Sequence, residues 1–280
     1  MPNKEKIRSL FDDIAHNYDA FNHLSSFGSD RAWRRRAVRH IADEQRVMKV
    51  LDVATGTADF ALSIASKLAP GSSVVGVDLS EGMLEIGRGK VVKAGYGSGA
   101  VAGSTAGSAM GSEAVAGSGT AAGSIAGSET PAEGGIGRES GRENIDIQLF
   151  QADVENLPFQ DGSFDRVSVA FGVRNFDNLD RGLSEMCRVL RKGGRLVILE
   201  LSYPDNAVLL ALYKFYAFKL LPCLGKLLTG NRAAYCYLPA SIMNFPKPPQ
   251  FIPRLQAAGF TSVQARSFTF GVCRMYVAEK

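Results

Sequence analysis

Apolar positions recur at helical spacing through the first forty residues, then give way to short apolar runs that close on a carboxylate or a glycine. Over residues 7–42 this pattern predicts helix, with Leu10, Phe11, Ile14, Phe21 and Leu24 on one side. Val50-Leu51-Asp52-Val53 predicts a strand, Ala54 to Asp59 a tight loop centred on Gly56, and residues 60–68 a helix. A second apolar run over 74–77 ends at Asp78, and Ser80 predicts the N-cap of a helix reaching about Lys93. Residues 145–150 alternate as a third strand, and 166–171 follow the Gly162-Ser163 turn as a fourth. A helix over 178–190 is expected to end at Lys192-Gly193-Gly194 as a glycine C-cap, ahead of a fifth strand over 195–201. Residues 207–228 are strongly apolar and aromatic, 251–258 read as helix, and 261–268 and 271–278 as two strands closing the sheet antiparallel.

Strands alternating with helices predict an α/β, doubly wound, Rossmann-like domain. The organisation expected is an N-terminal helical cap over 1–45 and one domain formed by 46–94 and 142–280. Between the two parts, residues 95–141 are Gly, Ser, Ala and Thr with recurring Ala-Gly-Ser triplets. Such a segment buries too little apolar surface to offset its ordering entropy, so a flexible insertion is expected.

Composition narrows the function. The 280 residues carry a net charge of only +4, with the positive charge gathered between Arg31 and Arg39. That cluster reads as a solvated helix face or a contact for anionic lipid; the aromatic-interleaved basic platform of a nucleic-acid binder is lacking, so no nucleic acid is expected. Cys187, Cys223, Cys236 and Cys273 form no C-x-x-C pair, and all three histidines, His16, His23 and His40, sit near the start. A reducing compartment and no metal follow. The polar opening is no signal peptide, which predicts a cytoplasmic protein. Lys214, Lys219 and Pro222 make 207–228 a poor membrane span, leaving a core helix, a lipid-accepting groove or an interfacial helix.

The candidate chemistry lies at the strand ends. An acidic residue ending the second strand of a doubly wound sheet is placed to accept hydrogen bonds from ribose hydroxyls, so the Gly56 loop with Asp78 predicts a nucleoside site. G-x-G-x-x-G is missing, and Asp52 and Asp59 flank Gly56 instead. Negative charge there repels a diphosphate and suits a ligand carrying sulfonium and ammonium groups, which favours S-adenosyl-L-methionine over NAD. A helix N-cap without a ligand is the plain alternative.

The ordered set of Asp78, Ala152-Asp153, Leu157-Pro158-Phe159, Phe164-Asp165 and Leu190-Arg191-Lys192-Gly193-Gly194 resembles the class I S-adenosylmethionine-dependent methyltransferases. Phe11-Asp12, Ile14-Ala15, Tyr18-Asp19, Asn22-His23, Asp30, Trp33-Arg34-Arg35 and Phe171-Gly172-Val173-Arg174-Asn175 are similar, more narrowly, to the ubiquinone/menaquinone biosynthesis C-methyltransferases. So are Tyr235, Tyr237-Leu238, Ser241 and Phe245-Pro246. The resemblance implies a seven-stranded sheet with an antiparallel last strand, and S-adenosyl-L-methionine held by Thr57 and Asp78, with Asp153 and Val154 lining the adenine. Ala58 departs from a glycine common in this loop, and Ala170 from a serine near the cofactor. The activity implied is methyl transfer to a ring carbon of demethylmenaquinol; a prenylated benzoquinol acceptor and a non-catalytic quinone-binding scaffold stay open. On that chemistry Arg174 is expected to stabilise a phenolate, Asn175 and Tyr18 to orient ring hydroxyls, and His23 or Asp19 to accept the ring proton. The partners implied are the prenylated quinol and a peripheral membrane contact, with a homo-oligomer left open.

Overall fold

The computed structural model describes residues 4–96, 144–222 and 232–280. Two helices precede the sheet: α1 (Lys4–Ser25) and α2 (Ser29–Ile41). The sequence reading made them one; Phe27 and Gly28 separate them, with φ of 50° and 72°. Gly28 N–H donates to His23 O at 2.7 Å, so a left-handed turn closes α1 and re-aims the chain. The side chains of Phe21 and Leu24 and residues 97–141 of the insertion expected over 95–141 lie outside what is described, as does the apolar stretch beyond 222.

The sheet holds β1 (Lys49–Val53), β2 (Ser73–Asp78), β3 (Asp146–Gln151), β4 (Phe164–Ala170), β5 (Leu190–Leu201), β6 (Ser262–Phe268) and β7 (Cys273–Glu279). Their order is β3-β2-β1-β4-β5-β7-β6. The first five are parallel, and β7 runs antiparallel between β5 and β6. Around them lie α3 (Asp59–Ala65), α4 (Glu81–Lys93), α5 (Leu179–Val189), α6 (Ala207–Phe215), α7 (Arg232–Asn244) and α8 (Pro248–Ala257). Strand alternation feeds two cores: Val50 packs with Trp33, Ile41 and Ile64, while Leu51 and Val53 pack with Leu183, Met186 and Phe251 on the opposite face.

Ser80 caps α4 as expected, its Oγ accepting from Met83 N–H at 3.1 Å. The predicted glycine C-cap after α5 is corrected. The helix ends at Val189, and Leu190 already pairs with Phe164 as the first residue of β5. Gly193, at φ 70°, lies in an excursion of that strand, where its N–H donates to Lys280 O. Helix α6 runs on into a π-helical turn, Tyr216–Leu220.

Candidate active site: two cavities under one helix

The strand order reverses between β1 and β4, which puts a crevice beyond their carboxyl ends. Both strands leave the sheet through strained residues: Ala54 has φ 51° and Phe171 has φ 61°. Left-handed backbone at non-glycine residues costs about 1–3 kcal/mol each and concentrates where a site must be shaped. Gly172 makes the close approach possible, because a Cβ there would meet Ala54 Cβ at 2.5 Å.

The resulting cleft, open to solvent, spans about 780 Å3 and is lined by both strand ends, Gly56, Asp78, Met83 and the 152–155 segment. Asp78 accepts from Gly56 N–H at 2.8 Å and Ser80 N–H at 2.9 Å, one on each carboxyl oxygen. Each oxygen keeps a further lone pair for a ligand hydroxyl. Burial raises the Asp78 carboxyl above its ordinary value, against the pull of those backbone donors. Gly56, at φ 56°, has nothing within 4 Å of where a Cβ would stand, so its backbone faces open space. Asp153 and Val154 lie on the same wall; Lys4 Nζ reaches Asp153 Oδ2 at 2.8 Å and Glu155 Oε2 at 2.6 Å, tying the start of α1 across the cleft.

A second cavity of about 640 Å3 adjoins the first and shares Tyr18 and Phe171 with it. Its walls include Asn22, Asp30, Arg174, Tyr213, Tyr216 and Leu238. Helix α1 serves both cavities: Ile7, Phe11 and Tyr18 face the cleft, while Tyr18, Asn22 and Ser25 face the second cavity. Spacings of four, seven, four and three residues keep these side chains on one helical face. Asn22 Nδ2 and Arg174 Nε are buried donors without a hydrogen-bond partner among the described residues. Arg34, Arg166, Arg195 and Arg274 carry the same unpaired Nε elsewhere in the fold, so what ties Asn22 and Arg174 to a ligand is their place on the cavity wall. Burial pushes the Tyr18 phenol upward and the Tyr213 phenol to about 12, so both stay neutral and able to donate.

The residues anticipated from sequence fall into three sets. Asp78, Asp153 and Val154 line the cleft together. Asp52, Thr57 and Asp59 do not. Asp52 sits beneath the loop, accepting from Thr55 Oγ1 at 2.8 Å and Ser168 Oγ at 2.7 Å, and burial lifts its carboxyl to about 6. Thr57 and Asp59 are drawn with Asp19 to Lys90 of α4: Lys90 Nζ lies 2.6 Å from Asp59 Oδ1 and 3.0 Å from Thr57 Oγ1, pairs with Asp19, and Thr57 Oγ1 donates to Asp19 at 2.6 Å. Asp19 therefore fastens α1 to the domain rather than facing either cavity.

Tyr18 and Arg174 line the second cavity as expected for an acceptor site, but the Arg174 charge is already matched. Its Nη1 donates to Glu200 Oε1 at 2.6 Å and to Phe171 O, with both side chains buried. Burial disfavours the guanidinium charge, yet Glu200 together with Tyr18 and Tyr237 outweighs it and the group is held protonated. Asn175 lines the cleft instead, where its Oδ1 accepts from Tyr237 Oη at 3.0 Å. His23 does not line the second cavity itself; its Nδ1 stands 2.7 Å from Oδ2 of Asp30, which does.

The sequence pattern of the ubiE/COQ5 methyltransferase family matches residues 1–110 and 100–280. The chain belongs to that family. It is 38% identical to demethylmenaquinone methyltransferase of Bacteroides fragilis over 99% of this chain and 93% of that one. To ubiquinone/menaquinone biosynthesis C-methyltransferase UbiE of Geobacter sulfurreducens the identity is 39%, over 99% and 89%. To demethylmenaquinone methyltransferase of Thermus thermophilus it is 36%, over 97% and 100%. Solved structures of like fold include a SAM-dependent methyltransferase of Thermotoga maritima, with TM-score 0.56, 16% identity, 97% of this chain and 99% of that one. The [4+2]-cyclase SpnF reaches TM-score 0.60 at 14% identity, over 100% and 97%. A cyclase on this scaffold shows that the fold alone does not fix the reaction. The enzyme is a methyltransferase, with S-adenosyl-L-methionine as methyl donor.

The cleft fits that donor. Asp78 offers carboxylate lone pairs to ribose hydroxyls, the open backbone at Gly56 admits close approach, and Val53, Val77, Leu79 and Val154 give apolar walls for a base. Sequence reasoning missed Ile7 and Met83, and named Tyr213 and Tyr216 only as part of the apolar 207–228 stretch. The first was legible in principle, because Ile7, Phe11 and Tyr18 share a helical face; the others are set by which helices meet.

Proposed function

We propose that the enzyme methylates a ring carbon of a reduced, prenylated naphthoquinone, demethylmenaquinol, to give menaquinol. The observation that supports this best is the meeting of two cavities at Tyr18 and Phe171, one suited to a nucleoside and the other to an aromatic ring with oxygens. The bound donor supplies an electrophilic methyl group. Everything else asked of the protein is orientation, charge and a proton acceptor.

Tyr18, a neutral phenol, donates to one ring oxygen, and Asn22 and Arg174, on the same cavity wall, stand by the oxygen on which negative charge develops. Because Glu200 balances Arg174, the residue acts through a directed hydrogen bond more than through a free charge. Asp30, whose carboxylate lines this cavity and is held by His23, takes up the ring proton as the ring regains aromaticity. Phe171, braced against Trp33 at 6.3 Å between ring centres and beneath the Arg34 guanidinium at 5.5 Å, forms the shared wall that keeps water from the line between the two ligands. Asn175 positions the donor side, and the Lys90–Asp19–Thr57 knot holds α1 closed.

A prenylated acceptor resides in a bilayer, so we place the enzyme in the cytoplasm, working against the membrane face. No helix among the described residues is long and apolar enough to cross a membrane. The Geobacter relative's name spans both quinone classes, so a prenylated benzoquinol is the second acceptor to test. The deciding experiment incubates purified enzyme with isotopically labelled S-adenosyl-L-methionine and chemically reduced demethylmenaquinol, and reads methylated product by mass spectrometry. Product that requires the reductant is the expected result. Donor binding without product from the naphthoquinol, but with product from the benzoquinol, would reassign the acceptor; no product from either would overturn the quinol assignment.

A further inference from the structure

The second cavity has an outer wall that looks two ways. Residues 206–222, covering α6 and its π-helical turn, contain no acidic residue. One side of this segment sends Tyr213, Tyr216, Ala217 and Leu221 into the cavity. The other side leaves Val208, Leu212, Phe215, Phe218 and Leu220 between 44% and 69% exposed, with Lys214 and Lys219 also exposed among them. Phe27, 81% exposed on the α1–α2 turn, extends the patch, its ring centre 5.9 Å from that of Tyr216. The two elements are fastened where Tyr216 Oη donates to Ser25 O at 2.7 Å.

We propose that this face docks on an anionic lipid bilayer, with α6 lying in the interfacial plane and the cavity opening behind it. Large apolar side chains, lysines as the sole charges and continuity with the cavity wall are what an interfacial helix presents to lipid. A globular monomer seldom leaves so many large apolar side chains clustered without a use. The use inferred rests on the acceptor reading above: a prenyl tail stays among lipid chains while its ring enters past Tyr213 and Tyr216. The lipid contact itself needs no methyl transfer and can be measured without it.

The test is co-sedimentation of the full-length protein with vesicles of phosphatidylglycerol and phosphatidylethanolamine, and with vesicles of phosphatidylcholine alone. Wild type is expected to sediment with the anionic vesicles and more weakly with the neutral ones. The triple variant Leu212→Glu, Phe215→Glu, Phe218→Glu changes only exposed positions, and its partitioning should fall tenfold or more. Its thermal melt and its affinity for S-adenosyl-L-methionine should match wild type, which shows that the fold survives. Lys214→Gln and Lys219→Gln should each weaken anionic binding about fivefold. Wild type that stays in the supernatant, or a folded triple variant that still sediments, overturns the proposal. So does light scattering that finds a dimer split by the triple variant, because the patch then meets a second copy of the chain. Vesicle binding without quinol methylation would leave this inference standing and remove the acceptor assignment instead.

Discussion

The two cavities differ in how they are made. The donor cleft is built from strand ends: Val53-Ala54, Val77-Asp78, Ala152-Asp153 and Ala170-Phe171 each stand at or just past the end of a strand. Its shape comes from backbone, with Ala54 and Phe171 held at positive φ and Gly172 admitting their approach. The acceptor cavity is built from side chains of helices far apart in sequence, and its polarity comes from buried groups such as the Arg174–Glu200 pair. A backbone-built site is preorganised by the sheet; a side-chain-built site depends on each ion pair beneath it. Helix α1 spans both, so closure over one ligand is tied to the wall of the other.

Glu200→Gln strikes the side-chain-built half and should have the largest effect. It strands the buried Arg174 charge, and a loss of about 3–5 kcal/mol in urea unfolding is expected. A change below about 1 kcal/mol would mean that the pair does not hold the cavity. Asp78→Ala strikes the other half: donor affinity by calorimetry should fall about 10–100-fold through loss of charge-assisted hydrogen bonds to the ligand, with a smaller stability loss of about 1–2 kcal/mol from the stranded Gly56 and Ser80 N–H groups. If stability collapses instead, Asp78 belongs to the framework and the contrast between the halves fails.

Asp52 sharpens the comparison, because it is a buried charge under the backbone-built cleft. Burial raises its folded carboxyl to about 6, so the folded state binds the proton more tightly than the unfolded chain. Its contribution is therefore present at low pH and lost as pH rises from about 4 through 6. Asp52→Asn, which cannot ionise, should gain relative to wild type by about 2 kcal/mol between pH 4.5 and 7.5. Parallel pH profiles would disprove the raised value. The smallest effect is expected at Ala58, whose φ is 64°. Relief of left-handed strain in Ala58→Gly, about 1–2 kcal/mol, outweighs the glycine's lost entropy of about 0.5–1 kcal/mol. A net gain of about 0.5 kcal/mol in urea unfolding should result, and a net loss would show that the buried methyl matters more.

Much of the donor half was readable because period and punctuation encode it locally. An apolar run, a glycine turn and a terminal carboxylate are contiguous, so Asp78 could be placed before any tertiary contact was known, while Asp153 came from the family resemblance. The same local reading put Asp52 and Asp59 beside the ligand, and the resemblance added Thr57; the structure engages all three with other side chains. Adjacency to Gly56 says nothing about whether Lys90, on α4, or Ser168, on β4, has already engaged their oxygens. It also ran α1 and α2 together, because helical spacing persists across Phe27-Gly28 while the backbone turns there.

The chain's own sequence thus determined the sheet, its carboxylate-tipped edge and the family, since these rest on hydrogen bonds and burial repeating over a few residues. Only the tertiary structure decided that Arg174 faces Glu200, that Asp30 rather than His23 reaches the acceptor cavity, and that one face of α6 is left bare. Those outcomes depend on which distant side chains meet, and the free energy of a buried charge or an exposed apolar face is set by its neighbours in space.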